Sequence, residues 1–253
     1  MKKALTIAGF DPTGGAGIQA DLKVFNALGI YGLSAVSALT AQNTKEVKEV
    51  LPTNPAFLKK QLSVLLSDVQ PDAVKIGMVY SEKIVAVIEW IIKKYSLKNI
   101  VLDPLILSSS GKELVEKKAV SAIARKLFPL CKVVTPNIDE ASALTGIEIK
   151  NEKDMEKATI ILKGFGPENV IITGGHLDKT AVDIYYNGKF HHLIGKKIEG
   201  EFHGTGCTFS SAITAFLAKG ESTLEAARLA KNFINKALRR SFYLGKGMMI
   251  LDL

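Results

Sequence analysis

Short apolar runs alternate with longer amphipathic ones along most of the chain, and this rhythm limits the possible folds more than any other feature. "ALTIAG" (4–9), "YGLSAVSALT" (31–40), "AVKIG" (73–77), "NIVLDP" (99–104), "CKVVTPN" (131–137) and "NVIITGG" (169–175) read as strands. Helical patterns lie between them at 16–29, 54–69, 81–95, 116–128, 139–146 and 154–166, and two more close the chain at 205–218 and 222–243. In the first helix Ile18, Leu22, Phe25 and Leu28 recur at helical spacing and Gly29 is the stop. Pro55 falls in the first turn of the second helix and Ser81 caps the third. Strands that are apolar on both faces must be covered on both faces. The pattern therefore specifies βαβ units and a mostly parallel sheet between two helical layers. The rhythm breaks at 181–195, where Asn187-Gly188 between two strand-like runs signals a hairpin. No internal repeat, low-complexity tract or linker interrupts the pattern, so residues 1–253 are expected to form one α/β domain.

A chain of 253 residues with 47% hydrophobic and 23% charged residues can bury a sizeable core without staples. Its two cysteines, Cys131 and Cys207, cannot make a disulfide framework, which suits a reducing, cytoplasmic setting. The apolar run at the N-terminus stops at Gly9 and reads as a strand rather than a signal peptide, and the run near 84–92 is too short to span a membrane. The net charge of +8 suits a lysine-rich solvated surface or attraction of an anionic ligand. The lysines are dispersed and not interleaved with aromatics, so nucleic acid is not expected as a partner.

In open parallel sheets, ligands bind beyond the carboxyl ends of the strands. The polar and glycine-rich stretches fall there: "GFDPTGGAG", "AQNT", "GMVYS", "DPLILSSSG", "TPNIDE" and "TGGH" each follow a strand. The phosphate-binding templates fail on this chain. "TGGHLDKT" lacks the glycine that precedes the lysine of a Walker-type loop, and Phe209 occupies the third glycine position of a dinucleotide fingerprint. What remains is "HGTGC" (203–207), two glycines around a threonine at a helix start. Glycines let the backbone turn and approach a ligand, and the free N–H groups of a first helical turn attract anions. Gly204, Thr205, Gly206 and Cys207 thus read as an anion nest, with a first-turn location that tends to lower a cysteine's pKa. A buried, inert cysteine in an ordinary turn is the alternative.

The chain as a whole resembles the hydroxymethylpyrimidine/phosphomethylpyrimidine kinases of the ribokinase-like superfamily. "ALTIAGFDPTGGAGIQADLK", "LTAQNT", "KIGM", "VLDP", "TPNIDEASALTG", "TGGH" and "HGTGCT" occur in family order over nearly the full length. The resemblance implies a ribokinase-like three-layer α/β/α sandwich and a homodimer. It implies ATP- and Mg²⁺-dependent phosphorylation of 4-amino-5-hydroxymethyl-2-methylpyrimidine and then of its monophosphate. Aspartate is the usual base in the wider superfamily where this chain has Cys207. A pyridoxal kinase of the same subgroup is the second reading. A ligand-binding protein that kept the fold and lost catalysis is a third, opposed by the intact nest and acidic residues.

The resemblance also implies roles. Asp21, taken alone a solvated first-turn charge, would accept from the 4-amino group. Gln42 would meet the pyrimidine edge, Met78 would pack on the ring and Gly9 would let the first loop approach the substrate. Asp103 and Glu140 would lie by Mg²⁺, with Asp103, Asn137, Thr173 and Gly174 along the nucleotide phosphates. Locally, Asn137 and Glu140 also read as a helix cap and its acidic partner. His176 is expected to be structural or near the nucleotide, and His191-His192 to be exposed on the hairpin. The chain departs from the family at Glu201-Phe202, where Asn-Thr is usual, at Thr173, where a lysine is usual, and in the proline-free ending "GKGMMILDL". These departures bear on adenine contacts and on the expected contact of Lys246 with ATP.

Overall fold

A computed structural model describes residues 1–106, 114–175 and 181–253 of the chain. The elements run β1 (Lys3–Phe10), α1 (Gly17–Ala27), β2 (Tyr31–Gln42), β3 (Val47–Pro52), α2 (Pro55–Leu66), β4 (Ala73–Ile76), α3 (Glu82–Lys94), β5 (Ile100–Leu102), α4 (Lys117–Ala122), β6 (Val133–Val134), α5 (Ile138–Thr145) and α6 (Glu152–Gly164). They continue with β7 (Asn169–Ile172), β8 (Ala181–Tyr186), β9 (Phe190–Gly195), β10 (Phe202–His203), α7 (Thr205–Lys219), α8 (Thr223–Arg239) and β11 (Met249–Ile250).

The main sheet has nine strands in the order β3-β2-β1-β4-β5-β6-β7-β8-β9. Strands β2, β1, β4, β5, β6 and β7 are parallel, and β3, β8 and β9 extend the two edges antiparallel. Side chains alternate across the sheet as period-2 geometry requires. Leu5, Ile7, Val74, Ile76 and Ile172 join the core under α2, α3, α4, α5 and α6. Ala4, Ala73, Val101, Val133 and Ile171 join the core under α1, α7 and α8. The result is the expected three-layer α/β/α sandwich. The strand order reverses at β1, which has β2 on one side and β4 on the other. A crevice is therefore expected beyond its carboxyl end.

Three elements differ from the sequence expectation. The helix expected over 116–128 is α4 followed by a widened π turn (Ile123–Leu127) and a tight 3₁₀ turn (Phe128–Leu130), because Pro129 has no N–H to continue the α ladder. Strand β3 was not expected. Among the described residues it pairs only with β2; it is largely exposed and carries Lys48, Glu49 and Pro52, the residues that blunt an edge rather than announce a strand. The C-terminal β11 pairs with β10 in a two-residue parallel ribbon. The 187–188 hairpin is present as β8 and β9.

Candidate active site

The loops beyond β1, β2, β4, β5, β6 and β7 surround a cleft of about 1120 Å³, and the start of α7 closes one side of it. Each wall can be traced to local sequence.

The nest is formed as expected. Gly204 is left-handed (φ 82°), and a Cβ there would collide with the carbonyl oxygen of Gly15, so glycine is required for both reasons. Thr205, Gly206 and Cys207 are the first three residues of α7, whose N–H groups have no intrahelical acceptor, and all three line the cleft. Beside the nest, the Asp11 carboxylate organises the loop after β1. It accepts from the N–H groups of Thr13 and Ala16, at 2.8 Å each, and lies 2.8 Å from His203 Nε2. Burial alone would raise the Asp11 pKa, but hydrogen bonding and charge from His203, with Thr13, hold it at about 2. The loop after β1 is thereby tied to the residue before the nest. His203 and Ile250 also pack where a side chain on Gly15 would have to go, which seats the β10–β11 ribbon over this loop.

Cys207 lines the cleft but is 4% exposed, and burial pushes its thiol up to about 12. The Lys75 charge and the Gly17 N–H favour the thiolate, and the Asp103 and Asp21 charges oppose it. The lowering expected at a helix start is therefore overturned by desolvation, and the thiol is neutral at physiological pH. Gly9 and Met78 also line the cleft, and a Cβ on Gly9 would sit 2.9 Å from Met78 Sδ, so the absent side chain is what admits the thioether. Gln42, the last residue of β2, also lines the cleft.

Asp103 and Glu140 form an acidic pair at 2% and 3% exposure. Glu140 completes a capping box with Asn137: Asn137 N–H donates to Glu140 Oε2 and Glu140 N–H to Asn137 Oδ1, both at 2.9 Å. The local reading of these two residues is thus borne out, and both also line the cleft. Burial raises the Asp103 pKa to about 6, against the lowering effect of Lys75 and Ser210. Burial and the Asp103 charge raise Glu140 well above the carboxylate range. Two desolvated carboxylates whose described hydrogen-bond partners are a serine hydroxyl and backbone N–H groups suit a hard divalent cation with oxygen ligands. Among the described residues no cluster of three or more His, Cys, Asp or Glu side chains is present, so much of such an ion's shell would come from water and ligand.

Three of the expected site residues lie outside the cleft lining. Asp21 does not line the cleft. It is fully buried and paired with Lys75 at 2.8 Å, and is therefore not a solvated charge. Gly174 is also absent from the lining, its N–H donating to Asp183 Oδ1 at 3.1 Å, whereas Thr173 and Gly175 do line it. Lys246 is exposed and outside the lining. The backbone of Gly247 lies directly on that of Thr44, and the Met248 N–H donates to Thr44 O at 2.9 Å, which brings Gly247 and Met248 to the cleft and leaves Lys246 in solvent. His176 lies outside the described residues; of the two hairpin histidines, His192 is exposed and His191 half-buried.

Some site residues were missed. Asp183 and Lys231 form an ion pair at 2.7 Å in the cleft wall. Lys75 had a visible signal, a lone charge in the apolar strand "AVKI".

The comparisons agree with this geometry. Residues 11–252 match the family model described as phosphomethylpyrimidine kinase. The chain belongs to that family. It is 44% identical over 246 residues to the thiamine biosynthesis bifunctional protein ThiED of Geobacter sulfurreducens, an alignment covering 96% of this chain and 50% of that protein. The chain thus spans about half the length of that relative. The crystal structure of phosphomethylpyrimidine kinase from Clostridium difficile is 44% identical with a TM-score of 0.84, covering 94% of this chain and 100% of that one. An ADP complex of Bacillus subtilis pyridoxal kinase is 38% identical with a TM-score of 0.92, covering 100% and 97%. Among the described residues, no helix is long and apolar enough to cross a membrane.

Proposed function

We propose that this chain transfers the γ-phosphoryl group of ATP to 4-amino-5-hydroxymethyl-2-methylpyrimidine and then to its monophosphate, giving the diphosphate used in thiamine biosynthesis. The observation that carries this reading is the open anion nest Gly204–Cys207, with a neutral thiol at its lip and the acidic pair Asp103/Glu140 in the same cleft.

Phosphoryl transfer asks for positioning and charge stabilisation rather than covalent chemistry. The Thr205, Gly206 and Cys207 N–H groups would take the developing charge, each donor contributing roughly 3 kcal/mol in the transition state. Asp103 and Glu140 are the residues that would hold Mg²⁺, which when bound neutralises charge on the phosphate oxygens. Asn137 and Thr173, in the adjoining wall, suit the nucleotide phosphates. Gly9, Met78 and Gln42 form the acceptor end, where Gln42 can both donate to and accept from an aminopyrimidine edge. The lysines Lys196, Lys197 and Lys231 line the cleft and favour an anionic ligand.

A thiol held near 12 is a poor base for the alcohol in the first step. Its use lies in the second step, whose acceptor is an anionic phosphate. A buried carboxylate at position 207 would repel that acceptor, and a neutral thiol does not. A homodimer, by family analogy, is part of the same reading and is checked by sedimentation.

The second reading is phosphorylation of pyridoxal, favoured by the TM-score of 0.92 to the Bacillus pyridoxal kinase. The deciding experiment offers the purified protein Mg-ATP with the hydroxymethylpyrimidine, its monophosphate and pyridoxal in separate reactions, with quantified products. Turnover of both pyrimidines is expected; turnover of pyridoxal alone overturns the proposal.

A further inference from the structure

Asp21 and Lys75 are both fully buried and line no part of the cleft, yet they lie under its catalytic edge. Lys75 Nζ is 2.8 Å from Asp21 Oδ1 and 3.0 Å from Oδ2. Thr6 donates its hydroxyl to Oδ2 and Ser211 donates its hydroxyl to Oδ1, each at 2.6 Å. These four fully buried residues come from β1, α1, β4 and α7, so one carboxylate joins four elements.

The attachment to α7 has a definite geometry. Residues four apart share a helix face. Ser211 lies one turn beyond Cys207 and is seated on Asp21. Ser210 lies one turn beyond Gly206 and is 3.2 Å from Asp103 Oδ2, while a Cβ on Gly206 would lie 3.6 Å from the same oxygen. Two neighbouring ridges of α7 thus rest on two buried carboxylates, and both ridges begin in the nest. The Lys75 ammonium also reaches under the segment carrying Met78, since a Cβ on Gly77 would lie 3.2 Å from Nζ. Its charge acts on both Cys207 and Asp103. A buried ion pair contributes little to stability relative to apolar side chains of similar volume. Holding one geometry is what this network does beyond filling space.

We propose that Asp21 and Lys75 are positioning residues for phosphoryl transfer: the ion pair anchors the first turns of α7 through Ser211 and keeps a fixed positive charge behind the anion nest and Asp103. This rests on the reading that the nest receives the transferred group, and it concerns how that nest is held.

Ser211→Ala tests it without unpairing a charge, because Asp21 keeps Lys75 and Thr6. The expected result is a fall in kcat of about tenfold with both KM values within twofold, since small misplacements at a transfer site act on kcat. Ser211→Thr, which keeps the hydroxyl, is expected to recover kcat to within about threefold of the parent. An unchanged kcat in folded Ser211→Ala, or a loss that Ser211→Thr does not recover while its near-UV circular dichroism is native, overturns the proposal. The apolar double variant Asp21→Leu/Lys75→Met is expected to keep the native spectrum and lose kcat about a hundredfold. A kcat within threefold of the parent in that folded variant also overturns it; if it does not fold, the Ser211 variants decide. Each variant is assayed with whichever acceptor the parent uses. A parent active only on pyridoxal refutes the substrate reading and leaves this test intact, and a parent active on neither acceptor overturns both.

Discussion

Two carboxylate sites are buried at the centre of the molecule, and they are treated oppositely. Asp21 has a lysine at 2.8 Å and a serine and a threonine hydroxyl at 2.6 Å, and lies outside the cleft lining. Asp103 and Glu140 line the cleft, and among the described residues their hydrogen-bond partners are a serine hydroxyl and backbone N–H groups. Both raised carboxyls pay heavily for ionising, because burial is the largest influence on each. The compensated carboxylate is complete within the chain. The pair in the cleft has no lysine in contact among the described residues, and under the proposed function a divalent cation bound with the nucleotide would complete it. A buried acid without its partner is therefore the better marker of a site than a buried acid with one.

The sharpest way to break this contrast is to remove the internal cation. Lys75→Met should destabilise the protein by about 3–5 kcal/mol, read from denaturant unfolding, because it leaves Asp21 buried and unpaired. Neutralising the other site should do the reverse. Asp103→Asn should leave the melting temperature equal to or above that of the parent while lowering kcat by about 10²–10³ in a steady-state kinase assay, the range for loss of a transition-state charge contact. Equal destabilisation by both substitutions would erase the distinction. Cys207→Asp, which adds a third acid to the open site, should lower kcat/KM on the monophosphate at least about tenfold more than on the alcohol, measured with both acceptors at one pH.

The smallest effect is on pH dependence. The folded pKa of Asp103, about 6, lies above its unfolded value, so between about pH 4 and 6 the folded form binds the extra proton. Its contribution to stability is therefore present at low pH and is lost as pH rises through about 6. Asp11, held at about 2, contributes in the opposite sense, with stability lost as pH falls from about 4 towards 2. Calorimetry of the metal-free protein at pH 5 and pH 7 should show a melting-temperature difference, and Asp103→Asn should remove part of it.

The sandwich was legible because helix and strand periods alternate cleanly, and the polar loops after the strands marked the end of the sheet that carries the cleft; the strand order, and with it the switch point at β1, came from the structure. The nest was legible because Gly204 and Gly206 solve a backbone problem that leaves its mark in sequence. Distances across the sheet leave no such mark. Asp21 stands near the start of α1, where a solvated acid is ordinary, and only packing against Lys75, 54 positions away, shows that it is interior. Lys246 sits in a glycine-rich stretch that reaches the cleft, but the close approach of Gly247 to Thr44 turns its side chain outward. The thiol of Cys207 obeys burial rather than the helix start, and burial is a property of the whole fold. Edge strand β3 went unseen because a strand with two wet faces has no period-2 pattern to show.

The direct contact between Gly204 and the carbonyl of Gly15 has a consequence for synthesis. The two halves of the nest wall touch backbone to backbone across 189 positions of sequence, and β1, which carries the first half, is a central strand of the sheet. An emerging chain can lay down β1 to β7 without ever presenting the α7 face that completes the cleft. Because the nest lies at residues 204–207 of 253, the cleft can be completed only in the last fifth of translation, and a truncated product that ends before residue 204 carries the acidic pair but no nest opposite it.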